Sequence, residues 1–228
     1  YGLYALQHRG QESAGIAVGN GEEVDIHKGL GLITEAFTKD DLNKLKGYIA
    51  IGHVRYSTTG STKVENAQPL LASSKLGPIA MAHNGNLVNA DVIRDLLEDG
   101  GHVFHTTIDS EVIATLIARG AKRGIERAVV DAIQAVRGSF AMVIATKDKL
   151  IGARDPHGIR PLCIGKVDDA YVMSSESCAL DAVGAEFVRD VEPGEVVVID
   201  ENGIRSIKYS ENTLCQTCAF EYIYFARP

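Results

Sequence analysis

Residues 140–154, FAMVIATKDKLIGAR, decide the fold class of this chain. Two apolar runs with strand character, 140–146 and 150–154, are joined by a polar turn around Asp148 and Lys149. So short a connection lets the second strand return only beside the first, which makes the pair antiparallel. The turns at 20–21 and 201–203 predict two more hairpins in the same way. Strands that come in adjacent pairs argue against a parallel doubly wound sheet.

The rest of the chain combines further strand-like segments with a few helices. Helical periodicity covers residues 125–136, and Asn89 and Asp109 stand where they can cap two more helices. A shorter helix is predicted after Thr38, with Asp41 in the capping-box position. Strand character is found at residues 15–19, 23–27, 48–56, 79–83, 140–146, 150–154, 162–166, 170–174, 195–199 and 203–209.

The composition indicates one globular unit. The 228 residues are 45% hydrophobic, which is enough to bury a substantial core. No repeat or low-complexity linker divides them. We therefore predict one α+β domain of helices packed on antiparallel sheets over residues 1–210, with 211–228 as an exit segment.

Charge and cysteine usage limit the classes of function. The net charge is −7 and no basic stripe is present, so we predict no nucleic-acid partner. No apolar run reaches the length needed to cross a bilayer and no signal-peptide pattern opens the chain, so we predict no membrane partner and a cytoplasmic location. Four cysteines are too few for a disulfide scaffold, and Cys163 and Cys178 are predicted to be buried and inert.

Four clusters of polar and glycine residues lie at the ends of predicted strands or in turns, where folds usually present functional groups. The clusters are HRGQ at 8–11, GHVRYST at 52–58, AHNGNL at 82–87 and TTIDSE at 106–111. Their histidines, His8, His53 and His83, are as well suited to holding the turns by hydrogen bonds as to transferring protons, and we assign them no chemistry.

Residue types within the clusters suggest a binding site, although each has a structural alternative. Arg55 ends an apolar strand, where it can clamp a carboxylate or close an ion pair. Asn84 and Gly85 can form a tight turn, or supply the two converging donors of an oxyanion hole. Asp109 can cap a helix or bind an ammonium group. Taken together they describe a pocket for an α-amino acid whose side-chain carbonyl is polarised.

The four clusters, taken in order, resemble a known family. HRGQESAG, GHVRYST, AHNGNL and DSE are similar to motifs of the glutaminase domain of class II, or N-terminal nucleophile, glutamine amidotransferases. The similarity continues through ARDPHGIRPL, SESCALD and EYIYFARP, and so covers essentially the whole chain. Within the class, HRGQ followed by an acidic and a small residue resembles the amidophosphoribosyltransferases, whereas glucosamine-6-phosphate synthases have RGYDSAG-like runs and asparagine synthetases RGPD-like runs.

The resemblance implies a fold and a set of roles. The fold is a four-layer αββα sandwich of two antiparallel sheets, of the Ntn-hydrolase type. Arg55 would hold the α-carboxylate of glutamine and Asp109 its α-ammonium group, while Asn84 and Gly85 would form the oxyanion hole. Two further residues, Arg9 and Thr58, would line or order the pocket and are assigned with the substrate-binding residues.

The resemblance also implies a reaction and a nucleophile. The domain would hydrolyse glutamine to glutamate and ammonia, and the ammonia would convert phosphoribosyl diphosphate to 5-phosphoribosylamine in the first step of purine biosynthesis. The family's nucleophile is a cysteine at the mature N-terminus, whose α-amine has a pKa of about 7.7 to 8.0 and so suits proton transfer. Tyr1 is not a thiol, so the nucleophile and its first strand are expected to lie outside this sequence, and the chain as given is expected to be inactive if that nucleophile is truly absent.

The remaining expectations concern cofactors and partners. The domain itself requires no cofactor, and phosphoribosyl diphosphate with its Mg²⁺ would bind a further domain. Cys218, in the C-x-x-C at 215–218, resembles one ligand of the 4Fe-4S cluster that some family members carry. A homo-oligomer is expected. The alternatives are the glutaminase domain of another class II amidotransferase, or a catalytically silent glutamine-binding module.

Overall fold

The computed structural model describes residues 1–56, 63–211 and 213–225. Its strands are β1 (Ser13–Gly19), β2 (Val24–Leu30), β3 (Ile49–Arg55), β4 (Leu70–Ser74), β5 (Gly77–Leu87), β6 (Gly138–Ala145), β7 (Leu150–Arg154), β8 (Cys163–Val167), β9 (Ala170–Ser174), β10 (Glu186–Asp190), β11 (Glu195–Asp200) and β12 (Gly203–Lys208). Its α-helices are α1 (Gly2–Ala5), α2 (Ile33–Ala36), α3 (Lys39–Lys44), α4 (Ala90–Asp99), α5 (Ser110–Gly120), α6 (Ile125–Ala135) and α7 (Ser177–Ala182). Short 3₁₀ turns cover Gln7–Arg9, Val64–Asn66 and Ala121–Arg123, and one π-helical turn covers Glu221–Phe225.

The central layer is a six-stranded antiparallel sheet in the order β12-β11-β7-β6-β5-β4. The stretch FAMVIATKDKLIGAR forms its middle, because β6 and β7 pair from Ala145 opposite Leu150 to Ala141 opposite Arg154. The Thr146 N–H donates to the Lys149 carbonyl oxygen at 2.9 Å and closes the hairpin. The hairpins predicted at 20–21 and 201–203 are also present, as β1–β2 and β11–β12.

The other strands form two three-stranded antiparallel sheets, β2-β1-β3 and β10-β8-β9. Both pack against one face of the six-stranded sheet, because Ala80 and Ala82 of β5 contact the β1–β3 side and Ala141 of β6 contacts Ile164 of β8. The alternate residues of β5, such as Met81, pack on α5 and α6. Helices α1, α2 and α7 cover the outer face of the three-stranded sheets. The predicted αββα sandwich of antiparallel layers is therefore confirmed.

The helix expected after Thr38 is present with its capping box: Thr38 Oγ1 accepts from the Asp41 N–H at 3.2 Å. The side-chain caps expected of Asn89 and Asp109 are wrong, since neither side chain accepts from a backbone N–H in the first turn of its own helix. Asn89 instead accepts from the Arg137 N–H at 2.8 Å and joins α4 to the loop before β6.

Two strands had no counterpart in the prediction. Four of the five residues of β10 are exposed, and β4 lies at the edge of its sheet. Neither strand therefore has the alternating apolar pattern that predicts a strand from the sequence. Cys163 is buried in β8 as predicted, whereas Cys178 lies in α7, not in a strand, and is only partly buried. In the part of the chain that the structure describes, no helix has the length and apolar character needed to span a membrane.

Candidate active site

A cavity of about 120 Å³ lies where the ends of β3 and β5 meet the start of α5. Five of the residues singled out from the sequence line it together: Arg9, Arg55, Asn84, Gly85 and Asp109. They come from four separate stretches of the chain, so the fold assembles them. Thr58 lies outside the described residues.

Arg55 is the last residue of β3 and only 4% exposed. The Gly10 backbone crosses directly over it, and a Cβ on Gly10 would lie 2.4 Å from the Arg55 carbonyl carbon. The Glu12 N–H then donates to the Arg55 carbonyl oxygen at 3.1 Å, and the Glu12 carboxylate lies 3.5 Å from Arg55 Nη1. Glycine in the HRG motif therefore lets the first cluster pack on the second and fixes a buried cation at the cavity wall.

Asn84 and Gly85 lie inside β5, so the interpretation of Asn-Gly as a tight turn is wrong. The Asn84 Nδ2 atom is buried and has no hydrogen-bond partner among the described residues. A buried donor without a partner costs about 1–3 kcal/mol, which a bound acceptor would recover. Gly85 has φ +152°, and a Cβ there would lie 2.0 Å from the Ser139 carbonyl oxygen. Only glycine therefore fits beside Asn84 while β5 stays paired with β6.

Asp109 places a carboxylate in the cavity wall, at the start of α5. Its Oδ2 accepts from the Leu87 N–H at 2.9 Å, which ties the helix to the end of β5. Its Oδ1 lies 3.8 Å from His83 Nδ1, and that nitrogen lies 3.0 Å from Ser110 Oγ. The side chain thus serves β5 and the cavity instead of capping α5.

The two histidines that line the cavity are neutral at neutral pH. Burial, together with the nearby His83, Arg55 and Arg9, lowers the pKa of His53 to about 3. Burial also lowers the pKa of His83, although the Asp109 carboxylate opposes that shift. The charged side chains that line the cavity are therefore those of Asp109 and of the arginines Arg9, Arg55 and Arg160.

Gln68 was missed by the sequence analysis. Its side-chain amide pairs with the backbone of His83, donating from Nε2 to the carbonyl oxygen at 3.2 Å and accepting from the N–H at 2.7 Å. It thereby acts as a short extra strand beside β5 and lines the cavity. An isolated glutamine before a proline has no distinctive pattern in the sequence, so nothing there predicted this contact.

Arg9 is held by two carboxylates. Its Nη1 donates to Glu176, and its Nη2 donates to Glu221 at 2.7 Å. Burial raises the pKa of Glu176, but hydrogen bonds from Arg9 and His8 outweigh burial and hold that pKa below its usual value. Both terminal nitrogens of Arg9 are thus occupied by protein, which favours the ordering role over direct contact with a substrate.

Glu221 and Arg160 were also not assigned from the sequence. Arg160 Nη1 donates to Glu221 at 2.8 Å, and Arg160 lines the cavity. The ARDPHGIR run presents this arginine through a rigid loop, in which buried Asp155 accepts from the His157 and Ile159 N–H groups at 2.9 and 3.1 Å. Such a run reads from the sequence as a turn, and its partners become visible only in three dimensions.

A metal site is not evident. No group of three or more His, Cys, Asp or Glu residues within the described ranges could hold a metal ion. Cys218 lies in the C-terminal segment, where its N–H donates to the Ile159 carbonyl oxygen at 3.3 Å. A 4Fe-4S cluster needs four thiolates, so these residues alone do not fit a complete cluster site.

The geometry defines a class of ligand. A buried guanidinium, a carboxylate and an unpaired amide donor around one small cavity match an α-amino acid that carries a side-chain carbonyl. The family described as "Glutamine amidotransferase domain" matches residues 53–182, and the chain belongs to this family.

Particular relatives cover the whole chain. It is 49% identical over 229 residues to the amidophosphoribosyltransferase of Bacillus subtilis, covering 100% of this chain and 48% of the relative. Among solved structures it is similar to the glutamine phosphoribosylpyrophosphate amidotransferase of B. subtilis complexed with ADP and GMP, at 48% identity and TM-score 0.94 over 100% of this chain and 50% of the other. A structure described as the allosteric regulatory enzyme of purine biosynthesis matches at 49% identity and TM-score 0.96, over 100% and 49%. The chain spans about half the length of these relatives.

Proposed function

We propose that the chain is the glutamine-hydrolysing domain of an amidophosphoribosyltransferase. It releases ammonia from glutamine, and the ammonia is transferred to phosphoribosyl diphosphate at a further domain to make 5-phosphoribosylamine, the first step of purine biosynthesis. The single observation that carries the glutamine site is the buried, unpartnered Asn84 amide beside the Arg55 and Asp109 charges. The relatives are named as amidophosphoribosyltransferases, which supports phosphoribosyl diphosphate as the acceptor of the ammonia.

Each polar group of glutamine has a counterpart in the cavity. Arg55 binds the α-carboxylate, because a planar guanidinium can donate two parallel hydrogen bonds to it. Asp109 binds the α-ammonium group. The side-chain carbonyl then meets the Asn84 Nδ2 donor and the Gly85 backbone, which stabilise the negative charge that forms on its oxygen when the carbon is attacked.

The attacking group in this proposal is a thiolate. It forms a bond to the carboxamide carbon, the tetrahedral intermediate collapses, and ammonia leaves with a proton delivered by the α-amine of the same cysteine. Water then cleaves the thioester to give glutamate and the free thiol. None of the residues that line the cavity in the described part of the chain is a cysteine, so the thiol comes from a segment outside it.

A cleft beside the cavity supports this source of the thiol. The free edges of β3 and β9 line a cleft of about 450 Å³, with Val143 and Leu150 of the six-stranded sheet on one side and Leu3 of α1 on the other. Both strands run towards the cavity, which Gly52 borders as well as the cleft. A strand of about five to seven residues placed antiparallel to both would join the two small sheets, and its N-terminal residue would lie at the cavity.

The test is a glutaminase assay of the intact gene product. We expect release of glutamate and ammonia from L-glutamine, and we expect Arg55→Ala and Asp109→Ala to raise the KM for glutamine steeply. Arg127→Ala, which removes a surface arginine that is 67% exposed, is the matched control and should leave KM unchanged. An intact product that releases no ammonia, or unchanged kinetics in both cavity variants, would refute the proposal.

Several finer expectations stay predictions. They are the domain boundary near residue 210, the homo-oligomer, the cytoplasmic location and the cluster ligand Cys218. Iron analysis of the anaerobically purified intact protein tests the last of these, and a colourless, iron-free sample would remove it.

A further inference from the structure

The C-terminal segment 213–225, called the tail below, lies along the loop that carries Arg160. The Gln216 N–H donates to the His157 carbonyl oxygen at 2.7 Å, and the Cys218 N–H donates to the Ile159 carbonyl oxygen at 3.3 Å. The Glu221 N–H then donates to the Cys218 carbonyl oxygen at 3.0 Å, and the chain turns inwards. The tail thus approaches the cavity from the side of Arg160.

Glu221 anchors the tail. It is 4% exposed, although Phe220 on one side of it is 67% exposed and Ile223 beyond it is 82% exposed. A glutamate is almost never so buried unless it is paired, and here each carboxylate oxygen accepts from a different arginine, Arg160 at 2.8 Å and Arg9 at 2.7 Å. The apolar side chains of Phe220 and Ile223 are exposed, so it is the ion-pair bridge of Glu221 that ties this part of the turn to the protein.

The bridge places an aromatic ring in the cavity wall. Phe225, four residues after Glu221, lines the cavity. Its ring centroid lies 5.3 Å from the Arg9 guanidinium carbon, and Tyr56 meets it edge-on with the centroids 6.4 Å apart. The tail therefore supplies part of the enclosure of the cavity, beside Arg9 and Tyr56.

We propose that the tail completes the glutamine cavity and that Glu221 and Arg160 are positioning residues for glutamine binding. This inference rests on the proposed function. Glu221 acts through two arginines of the wall and does not touch the substrate. Since binding free energies are reciprocal, a tail that must be attached for tight binding must itself be held more firmly when glutamine is bound.

The experiment compares Glu221→Gln with the wild-type intact protein. The glutamine side chain introduced at position 221 is isosteric with glutamate but carries no charge, so Arg9 and Arg160 lose the bridging carboxylate. We expect the KM for glutamine to rise about 5- to 100-fold, the range of a typical coupling, with a smaller change in kcat. Glu201→Gln, at an exposed position in the β11–β12 turn, is the matched control and should behave as wild type.

A second measurement separates positioning from general loss of structure. Hydrogen exchange of a peptide covering 213–225 should slow when glutamine is held saturating in the wild type, and this protection should be lost in Glu221→Gln while exchange of the β6 peptide is unchanged. If Glu221→Gln does not fold, Phe225→Ala decides, because it opens the wall and leaves the bridge intact. We expect it to raise KM as well.

The outcomes also distinguish this inference from the function on which it rests. If Arg55→Ala leaves KM unchanged, the glutamine site itself is wrong. If Arg55→Ala raises KM but Glu221→Gln and Phe225→Ala do not, and glutamine leaves exchange in the tail unaffected, the site stands and the coupling of the tail to it is refuted.

Discussion

Two arginines on the wall of the cavity are held by different partners. Arg9 donates to two carboxylates whose side chains are 15% and 4% exposed, with a contact of 2.7 Å to the more buried one. Arg55 has a 3.5 Å ion pair with Glu12, whose side chain is 31% exposed. Both terminal nitrogens of Arg9 are occupied by carboxylates, which assigns it to the wall, whereas Arg55 ends β3 at the cavity and is the arginine proposed to clamp a ligand. The comparison teaches that residue type and a place in the cavity wall do not by themselves separate a structural arginine from a binding one.

The largest expected effect is the loss of stability when the Arg9 side chain is removed. Arg9→Ala removes two charge-assisted hydrogen bonds, one to the partly buried Glu176 and one to the buried Glu221, and each such bond typically contributes about 1.5–3 kcal/mol. Chemical denaturation of the intact protein should show a loss of this size. A loss below about 1 kcal/mol would place Arg9 in the same class as Arg55.

The next largest effect is a fall in kcat when the Asn84 side chain, a proposed donor to the ligand, is removed. Asn84→Ala removes a donor that bonds nothing in the described part of the protein, so we expect little loss of stability. Loss of one oxyanion donor typically lowers kcat by about 10²–10³, or about 2.7–4 kcal/mol. Steady-state kinetics test this, with Asn202→Ala in an exposed turn as the control. A stable variant with normal kcat would contradict the oxyanion role.

A smaller effect is expected for Arg55→Lys. Lysine keeps the charge but cannot form two parallel hydrogen bonds with a carboxylate, so we expect about 1.5–3 kcal/mol of glutamine binding to be lost, about 10- to 100-fold in KM. The free energy of unfolding should change less than in Arg9→Ala. If stability falls and KM does not, Arg55 is the structural arginine.

The smallest expected effect is the pH dependence of stability that comes from His53, which lines the cavity together with Arg9 and Arg55. The folded-state pKa of His53 is about 3 and its ordinary value is 6.5, so the unfolded state binds a proton first as the pH falls. Stability is therefore fully present above about pH 6.5 and declines towards pH 3, by about 1.4 kcal/mol per pH unit from this group. Denaturation at pH 7 and pH 5.5 checks the slope, and His53→Gln should reduce it. An unchanged slope would show that His53 is accessible to protons.

The layers of the fold and one side of the cavity were predictable from the sequence. Hairpin turns and alternating strands depend on neighbours in sequence, and FAMVIATKDKLIGAR forms the β6–β7 pair that its pattern predicts. The grouping of Arg55, Asn84 and Asp109 in one cavity was predictable because each belongs to a short cluster of polar and glycine residues in the sequence. The other side was not, because the Arg9–Glu221–Arg160 bridge joins residues 212 and 61 positions apart. The Gln68 contact and the wrong cap predictions at Asn89 and Asp109 have the same origin, because these side chains hydrogen-bond to residues that are distant in the sequence.

Gly85 has a consequence for how the domain tolerates mutation. Because a side chain there would meet the Ser139 carbonyl oxygen, any substitution must displace β5 from β6 at the position next to Asn84. In a saturation screen this site would accept only glycine, and its failed variants would lose ammonia release together with the pairing of the central sheet. Because only glycine lets β5 and β6 pair at this position, a screen that selects for catalysis at residue 85 also selects for folding.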